Sequence, residues 1–301
     1  MKPIQELLNF SLINIDKPQG PTSFQISEYV KKSLNLNKTS HMGTLDPQVT
    51  GVLPITLGRA CKLSEYFMHH DKEYVGIMRL HEEISEVKLK EAIKKFIGKI
   101  TQLPPVRSRV KRALREREIK SFEILEIDGK NVLFKTEVQA GTYIRKLIHD
   151  IGRSLPVQSS KARLQDLPTS DRNRAVGEQI GGAHMLELRR TKAGIFSEED
   201  NLINMYDFDK LVDELKKGNE KSIRKVLFPA EEAIKKVLPF VQLSDKNLKK
   251  ILTGKPLMKE DLINNLPKEE KFSAFIKERF IGVYHKLNEE DIIAKAEFIY
   301  N

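Results

Sequence analysis

Apolar and polar positions near the start of the chain change from the spacing of a strand to that of a helix. The apolar run Phe10–Ile15 predicts a short strand. Thr22, with Gln25 three residues later, has the spacing of a helix capping box, so we predict a helix that continues to about Leu34. The proline- and glycine-rich residues 17–21 predict a loop between the two elements.

The middle of the chain continues this mixture of periods. Ser85 precedes apolar residues at helical spacing, which predicts a helix that stops at Gly98. These apolar residues are Leu89, Ala92, Ile93, Phe96 and Ile97. The β-rich runs Phe122–Ile127 and Val132–Val138 flank Asp128-Gly129 and predict a hairpin. Because strands and helices do not alternate regularly, we expect an α+β fold with a mixed, mostly antiparallel sheet.

Helical patterns and then short β patterns follow in the rest of the chain. Thr142–Leu155 and Phe208–Leu215 predict helices, the second closed by Gly218, and basic helical linker material continues to about Val237. From there the pattern predicts a small β-rich domain of about 65 to 80 residues, near the lower size limit for independent folding. Its predicted elements are Phe240–Leu243, Asn247–Leu252, Phe280–His285 and Ile292–Ile299.

Residues 153–181 interrupt this organisation. They are polar, with scattered serine, proline and glutamine and little periodicity, so we predict a long surface loop. Long loops in compact domains are usually functional or disordered.

The composition adds a basic excess to this picture. The chain has 301 residues, 52 Lys and Arg against 42 Asp and Glu, and a formal net charge of +10. An excess of this size favours a polyanionic partner, nucleic acid first. The alternative is a lysine-rich protein without such a partner, because charge alone identifies none.

Cysteine usage and the hydropathy pattern indicate a compartment. The single cysteine, Cys61, excludes an intrachain disulfide and fits a reducing environment. No apolar stretch reaches the roughly 18 residues that a membrane helix needs, and the first nine residues lack the pattern of a signal peptide. We therefore expect a cytoplasmic protein without a membrane partner.

Asp46 is the acidic residue with the most unusual surroundings. It lies between Leu45 and Pro47, and the proline favours an extended backbone that keeps Asp46 outside a helix. A carboxylate held in this way is a candidate nucleophile or general base. The alternative is an ordinary turn or helix-capping aspartate, because Asp-Pro commonly starts turns.

A basic segment, residues 107–120, is the candidate nucleic-acid contact. It follows Pro104-Pro105, and we expect a loop that lies along a phosphate backbone. The alternative is a solvated helix face on which Glu116 and Glu118 pair with some of the charge. The basic residues are Arg107, Arg109, Lys111, Arg112, Arg115, Arg117 and Lys120.

Two further residues carry candidate chemistry. Tyr74, at the start of a predicted strand, is either a core tyrosine or a platform on which a base stacks. Arg145 lies in the first turn of a predicted helix, where the helix dipole disfavours a cation, so we expect a carboxylate partner. Asp46 is a possible partner, and the alternative is a plain surface arginine.

Other common site patterns are missing from the sequence. The seven histidines do not combine with cysteine or carboxylates at metal-ligand spacing. The chain also lacks a P-loop, a GxGxxG and a Gly-x-Ser-x-Gly motif, so nucleotide, dinucleotide and serine-hydrolase functions have no support.

Taken together, the motifs resemble those of the TruB-type pseudouridine synthases. Gly43-Thr44-Leu45-Asp46-Pro47 resembles the catalytic motif of that family, and the segment from Lys17-Pro18 to Thr22-Ser23 resembles its N-terminal motif. The remaining active-site motifs occur in the family's order, as Lys72-Glu73-Tyr74, Gly141-Thr142-Tyr143-Ile144-Arg145 and Leu188-Arg189-Arg190-Thr191.

Within the family the chain is similar to the archaeal dyskerin branch. The segments that carry this similarity are Met78-Arg79-Leu80-His81, Pro104-Pro105, Val110-Lys111-Arg112, Leu125–Gly129 and His149-Asp150-Ile151-Gly152. The resemblance implies an N-terminal extension, 1–10, packed on the last domain, a catalytic domain, 11–225, and a barrel-like PUA RNA-binding domain, 226–301. The PUA similarity rests on the run from Leu252 to Leu257, which contains Gly254 and Lys255.

The resemblance implies a reaction without a cofactor or metal. A uridine in RNA is extruded from its stack, its glycosidic bond is cleaved, and the base is rotated and rejoined through carbon. Asp46 would attack the sugar or act at its 2′ position. Arg145 would pair with Asp46 and keep it ionised, Tyr74 would stack on the base, and Leu188 would form an apolar floor beneath it. On local pattern alone Leu188 is equally a core leucine.

The resemblance also implies the partners. These are a tRNA or rRNA substrate, an H/ACA guide RNA and small H/ACA ribonucleoprotein proteins. The basic segment would be the thumb loop that grips RNA. Residues 153–181 have no counterpart in the family pattern, so we interpret them as an insertion. Two other functions stay open from the residues: a non-catalytic RNA-binding scaffold, and a DNA-binding protein or nuclease, which the lack of metal ligands disfavours.

Overall fold

A computed structural model describes residues 2–104, 112–155, 182–287 and 291–301 of the chain. Its strands form two sheets, and the larger has the order β10-β1-β3-β8-β4-β7-β6-β5. This sheet consists of β1 (Ser11–Lys17), β2 (Thr39–His41), β3 (Thr50–Leu57), β4 (Lys72–Leu80), β5 (Gly98–Gln102), β6 (Arg115–Asp128), β7 (Asn131–Val138), β8 (Ala183–Ala193), β9 (Phe196–Ser197), β10 (Ile203–Asn204) and β11 (Leu227–Pro229).

The second sheet comes from the last quarter of the chain and has the order β12-β14-β15-β16-β13. Its strands are β12 (Phe240–Gln242), β13 (Leu257–Met258), β14 (Lys271–Ile276), β15 (Arg279–Lys286) and β16 (Ile292–Ile299). The described helices are α1 (Ile4–Asn9), α2 (Ser23–Ser33), α3 (Ser64–Met68), α4 (Glu86–Lys94), α5 (Ile144–Ser154), α6 (Met205–Lys216), α7 (Lys221–Val226), α8 (Ala230–Lys235) and α9 (Leu248–Leu252).

The expectation of an α+β fold with a mostly antiparallel sheet is confirmed. In the larger sheet β1–β10 and β3–β8 are parallel pairs, and the remaining pairs are antiparallel. The placement of β8 between β3 and β4 has a consequence for function. Strand β8, a late segment of the chain, lies between β3, which follows Asp46, and β4, which contains Tyr74.

Local sequence signals explain several element boundaries. The capping box of α2 is present, because Thr22 Oγ1 accepts from the Gln25 amide at 3.1 Å and Gln25 Oε1 accepts from the Thr22 amide at 2.8 Å. The hairpin of β6 and β7 turns at Gly129, whose φ of +54° lies in the left-handed region that glycine adopts readily. Both predictions are confirmed.

Two predicted boundaries are wrong. Helix α4 ends at Lys94 rather than at Gly98, and Gly98, with φ of +92°, instead begins β5. Strand β6 begins at Arg115, so the second half of the basic segment is a strand rather than a loop. The reason is pairing: β6 is held by β5 on one side and by β7 on the other.

The predicted helical linker to about Val237 is also wrong in part. Between α7 and α8, strand β11 pairs with β1 from Ser11 to Ile13 and so continues the larger sheet. The proposed boundary between residues 225 and 226 stays a prediction, and the hydrogen bonding of the larger sheet extends to Pro229.

A shared cluster of buried side chains joins the two sheets. Phe10, just before β1, stacks on Tyr300 with ring centroids 3.9 Å apart and on Phe280 of β15 at 5.5 Å. Ala233 and Ile234 of α8 belong to the same cluster. Aromatic pairs of this kind add about 0.5–1.5 kcal/mol each beyond their area burial, so the start of the chain contributes to the junction.

Candidate active site

Asp46 lies on the loop that connects β2 to β3, and its carboxylate faces Arg145. Asp46 Oδ2 and Arg145 Nη2 are 3.2 Å apart. The two side chains are 57% and 58% exposed, respectively. The predicted pairing of these residues is therefore confirmed. An ion pair this open contributes about 0–1 kcal/mol to stability, so its value lies in orientation.

A turn also starts at Asp46, as the alternative interpretation predicted. The Val49 amide donates to the Asp46 carbonyl at 3.0 Å, with Pro47 as the second residue of the turn. The turn places an aspartate at its first position and leaves the carboxylate free to meet Arg145.

Arg145 is held in place from the neighbouring strand β5. Helix α5 starts after Tyr143, whose amide donates to Gln102 Oε1 at 3.0 Å, and Gln102 Nε2 donates back to the Tyr143 carbonyl at 3.3 Å. Gln102 is buried. This amide clamp fixes the start of the helix, and the Asp46 carboxylate offsets the unfavourable position of an arginine at this end of a helix.

Lys17 holds the Asp46 loop through hydrogen bonds to backbone carbonyl groups. Its side chain is fully buried, and its Nζ donates to the carbonyls of Pro18 at 2.8 Å, Val49 at 2.9 Å and Pro47 at 3.2 Å. Burial lowers the pKa of Lys17, the negative charge of Asp46 raises it, and the charge of Arg190 lowers it further. One ammonium thus ties the end of β1 to both sides of the turn.

Ser23 fixes the residue on the other side of Asp46. The Leu45 amide donates to Ser23 Oγ at 2.8 Å, and that hydroxyl donates to the Leu45 carbonyl at 3.0 Å. The Leu45 side chain is buried. Because Leu45 and Pro47 are both anchored, the direction of the Asp46 side chain is restricted.

Tyr74 and Leu188 lie on adjacent strands, β4 and β8. Tyr74 is opposite Arg190 and Leu188 is opposite Gly76. Both side chains are largely buried, at 9% and 7% exposure, and they belong to one apolar cluster with Leu45 of the Asp46 loop and Ile144 of α5. Leu45 and Ile144 are the sequence neighbours of Asp46 and Arg145, so this cluster reaches both elements of the ion pair.

The basic segment borders this site where the structure describes it. Arg115 is opposite Gln102 in the β5–β6 pair, and the Arg117 guanidinium packs on Gly141, where an added Cβ would lie 3.1 Å from it. Lys120 forms an ion pair with Asp71. Arg112 precedes β6 and is exposed, whereas Arg107, Arg109 and Lys111 lie outside the described residues.

Gly254 and Lys255 lie in the second sheet region, directly after α9. Gly254 has φ of +80°, and its amide donates to the Ile251 carbonyl at 2.9 Å, which ends the helix. Lys255 is exposed.

Three supporting residues were missed as functional candidates: Lys17, Ser23 and Arg190. Lys17 and Ser23 belong to the segment that resembles the family's N-terminal motif, and Arg190 to the segment around Leu188. Motif membership was the available signal, because a lysine or arginine within a strand is otherwise expected to be exposed.

Two general properties concern the described residues. They contain no group of three or more His, Cys, Asp or Glu side chains placed to hold a metal ion. None of the helices in the described ranges is long and apolar enough to cross a membrane.

Comparison with protein families gives two matches. Residues 31–144 match the TruB family pseudouridylate synthase N-terminal domain. Residues 175–235 match the tRNA pseudouridylate synthase B C-terminal domain. The first range contains Asp46 and Tyr74, the second contains Leu188, and Arg145 lies just after the first.

Similar proteins occur among archaea. A probable tRNA pseudouridine synthase B of Thermococcus onnurineus is 43% identical over 260 residues, which cover 85% of this chain and 70% of the relative. The protein of the same description from Pyrococcus abyssi is 42% identical over 257 residues, covering 84% of this chain and 69% of its own length.

Two solved structures are similar over almost the whole chain. A Cbf5-Nop10-Gar1 complex contains a chain with a TM-score of 0.82 and 35% identity, and the match covers 99% of this chain and 87% of that one. An H/ACA ribonucleoprotein bound to a substrate RNA containing 2′-deoxyuridine contains one with a TM-score of 0.81 and 33% identity, covering 100% and 88%.

Proposed function

Because the chain belongs to the TruB family of pseudouridylate synthases, which are isomerases acting on RNA, we propose that its active site consists of Asp46, Tyr74, Arg145 and Leu188. The observation that carries this proposal is the ion pair between Asp46 and Arg145, two residues far apart in sequence. The buried side chains of Tyr74 and Leu188 lie in a cluster that reaches both elements.

The proposed reaction exchanges one bond to the ribose for another. The bond between N1 of uracil and C1′ breaks, and a bond between C5 and C1′ forms. C5 loses its proton and N1 gains one, so no other reactant is consumed. Asp46 starts the exchange, either by attacking C1′ or by removing a proton at C2′, and a carboxylate next to an electron-poor sugar has a parallel in glycosidases.

The other three residues hold the uridine and the carboxylate. Arg145 orients Asp46 and favours its charged form through a charge-assisted contact. Tyr74 stacks on the detached base and takes part in proton transfer, and Leu188 supports the base from the opposite side. Extruding a base from an RNA stack costs free energy, which stacking and backbone contacts offset.

RNA reaches the site along the basic segment. Arg115, the first residue of β6, is opposite Gln102, which is hydrogen-bonded to Tyr143 at the start of α5, where Arg145 is located. Arg112 precedes β6 by two residues and is exposed. We propose that Arg107, Arg109 and Lys111 extend this contact along the phosphate backbone. Binding should therefore weaken steeply as the salt concentration rises.

The second sheet forms the proposed PUA domain, 226–301, next to a catalytic domain, 11–225, and an N-terminal extension, 1–10. Gly254 and Lys255 would contact RNA there. The end of α9 exposes Lys255, and the left-handed Gly254 leaves backbone accessible to a ligand.

We propose that the substrates are uridines in the T-loop of tRNA, in rRNA, or in both, and that rRNA is modified within a guide ribonucleoprotein. The names of the archaeal relatives support a tRNA substrate. The likeness to chains in complexes with Nop10 and Gar1 and in an H/ACA ribonucleoprotein supports a guide RNA and small protein partners.

The experiment compares pseudouridine formation in three reactions: tRNA with the protein alone, a target RNA with guide RNA and small H/ACA proteins, and the same target without guide. Formation in the first or second reaction, and its loss in Asp46→Asn with RNA affinity retained, supports the proposal. If the wild type binds RNA but converts uridine in neither the first nor the second reaction, the protein is a scaffold rather than an enzyme.

A further inference from the structure

Arg190 is a buried arginine without an acidic partner in the described part of the chain. Its side chain is only 1% exposed. Its Nε donates to the Val52 carbonyl at 2.8 Å, and its Nη2 donates to the Gly43 carbonyl at 3.0 Å. Tyr74 is its partner on the adjacent strand β4. Burial lowers the pKa of Arg190, and the Tyr74 side chain raises it. Burying a charge is costly unless its donors are satisfied. Neutral acceptors rather than a carboxylate satisfy Arg190, so an ion pair does not explain why a charged side chain is buried here.

The three neighbours of Arg190, namely its acceptors Val52 and Gly43 and its cross-strand partner Tyr74, belong to two different parts of the proposed site. Gly43 precedes Asp46 on its loop, and Val52 follows the loop at the start of β3. Tyr74 lies on β4, on the other side of Arg190 in the sheet order β3-β8-β4. One planar guanidinium therefore connects both ends of the Asp46 loop to the proposed base-stacking ring.

Two glycines make this close approach possible. At Gly51 an added Cβ would lie 2.2 Å from the Arg190 carbonyl oxygen, and at Gly43 it would lie 3.4 Å from Arg190 Nη1. Their φ values of +101° and +100° are also in the region that favours glycine. The backbone at both ends of the loop is thus shaped to meet Arg190.

The adjacent Arg189 provides a contrast on the opposite face of β8. It binds Asp16 through Nη1 at 2.9 Å and through Nη2 at 3.0 Å, and it also pairs with Glu198. That arrangement is an ordinary, partly exposed ion-pair network that joins β8 to β1. Arg190 instead donates to the carbonyls at the two ends of the loop and lies opposite Tyr74 in the sheet.

We propose that Arg190 is a positioning residue for uridine isomerisation, a single clamp that fixes the Asp46 carboxylate relative to the Tyr74 ring. The inference rests on the proposed function for its catalytic consequence, whereas the clamp itself is a property of the fold. Catalytic groups must be held within a fraction of an ångström, and a displacement of about 1 Å can cost about 100-fold in rate.

The test compares Arg190→Lys with the matched control Arg189→Lys. Lysine keeps the positive charge but loses the planar fork that reaches several acceptors. We expect Arg190→Lys to lower the single-turnover rate of pseudouridine formation about 100-fold, with RNA affinity within about threefold of wild type. Arg189→Lys should stay within about threefold for both quantities.

Amide hydrogen exchange tests the clamp without relying on activity. The Leu45 and Val49 amides, which are bonded to Ser23 Oγ and to the Asp46 carbonyl, report on the loop. In Arg190→Lys both should exchange at least about tenfold faster, while amides at the centre of β4 and β7 keep their protection. Unchanged loop exchange would overturn the inference, and so would a wild-type rate in Arg190→Lys.

A second pair of variants covers the case in which Arg190→Lys does not fold. Gly43→Ala places a methyl group against Arg190 Nη1, and Tyr74→Phe removes the hydroxyl of the side chain that raises the pKa of Arg190. Tyr74→Phe also removes the hydroxyl proposed for proton transfer, so only the part of its effect that passes through Arg190 is shared with Gly43→Ala. Because of that shared part, the double variant should lose less rate than the product of the single losses, whereas fully independent effects would contradict the clamp. If the wild type forms no pseudouridine, the proposed function fails, and loop exchange in Gly43→Ala still decides the inference.

Discussion

The charged side chains at the tip and at the base of the Asp46 loop differ in their exposure and in their partners. At the tip, Asp46 pairs with Arg145, and more than half of each side chain is open to solvent. At the base, Lys17 and Arg190 are buried and bind carbonyl oxygens instead of carboxylates. The difference indicates a division of labour: the tip is left accessible to RNA, and the base gives it a fixed position.

Lys72 is a third buried cation at the base. Its Nζ donates to the Met68 carbonyl at 2.6 Å and to the His70 carbonyl, and its Cε lies 3.6 Å from where a Cβ of Gly43 would be. Burial first, and the charge of Arg190 second, lower the pKa of Lys72 to about 8, against an opposing contribution from Asp71. Changes at the base should therefore alter stability and, through the position of the loop, the rate, whereas changes at the tip should alter the rate with little effect on stability.

The largest expected effect on stability is that of Lys17→Met. The substitution leaves the Pro18 and Val49 carbonyls without this donor, whereas the Pro47 carbonyl keeps the Gly20 amide. Each unsatisfied buried group costs about 1–3 kcal/mol. We expect the free energy of unfolding to fall by about 4 kcal/mol in urea denaturation. The control, Lys90→Met, removes an exposed lysine paired with Glu86 and should cost under about 1 kcal/mol. Equal effects would remove the distinction between base and surface.

Lys72 predicts a dependence of stability on pH. Its pKa is about 8 in the folded protein and 10.5 as the ordinary value. Between these values the unfolded chain binds more protons, so stability should increase as the pH rises from about 8 to about 10.5. A shift of this size corresponds to about 3 kcal/mol at most. The difference in unfolding free energy between wild type and Lys72→Met should show this rise, and a flat difference would contradict it.

Arg145→Met tests the tip. The substitution removes the partner of Asp46 while keeping a side chain of similar length. We expect about a 100-fold loss of single-turnover rate, equivalent to about 2.7 kcal/mol, and a change in unfolding free energy below about 1 kcal/mol because the pair is exposed. A large loss of stability with the rate unchanged would reverse the proposed roles of tip and base.

Local sequence signals predicted much of the fold. The capping box at Thr22, the hairpin at Asp128-Gly129 and strand β16 follow from short-range chemistry and period. The end of α4 and the start of β6 did not follow, because strand pairing decided both. The insertion of β8 between β3 and β4 is a long-range arrangement that no local pattern specifies.

The site was predictable to a similar degree. Arg145, at the disfavoured end of a helix, correctly indicated a carboxylate partner. The supporting cations Lys17 and Arg190 gave no such signal, because burial of a charged side chain depends on acceptors that the fold supplies from distant segments. The predicted start of the insertion, residues 153–181, is wrong, because Arg153 and Ser154 still belong to α5. Residues 156–181 lie outside the described residues.

Uridine isomerisation at Asp46 is tested most directly with RNA that carries tritium at C5 of its uridines. Tritium leaves C5 only when the new bond to C1′ forms. The wild-type protein, with its RNA and protein partners, should release tritium to water in proportion to pseudouridine formed. Asp46→Asn should release none while binding the same RNA with similar affinity. Release by Asp46→Asn at the wild-type rate would contradict the account.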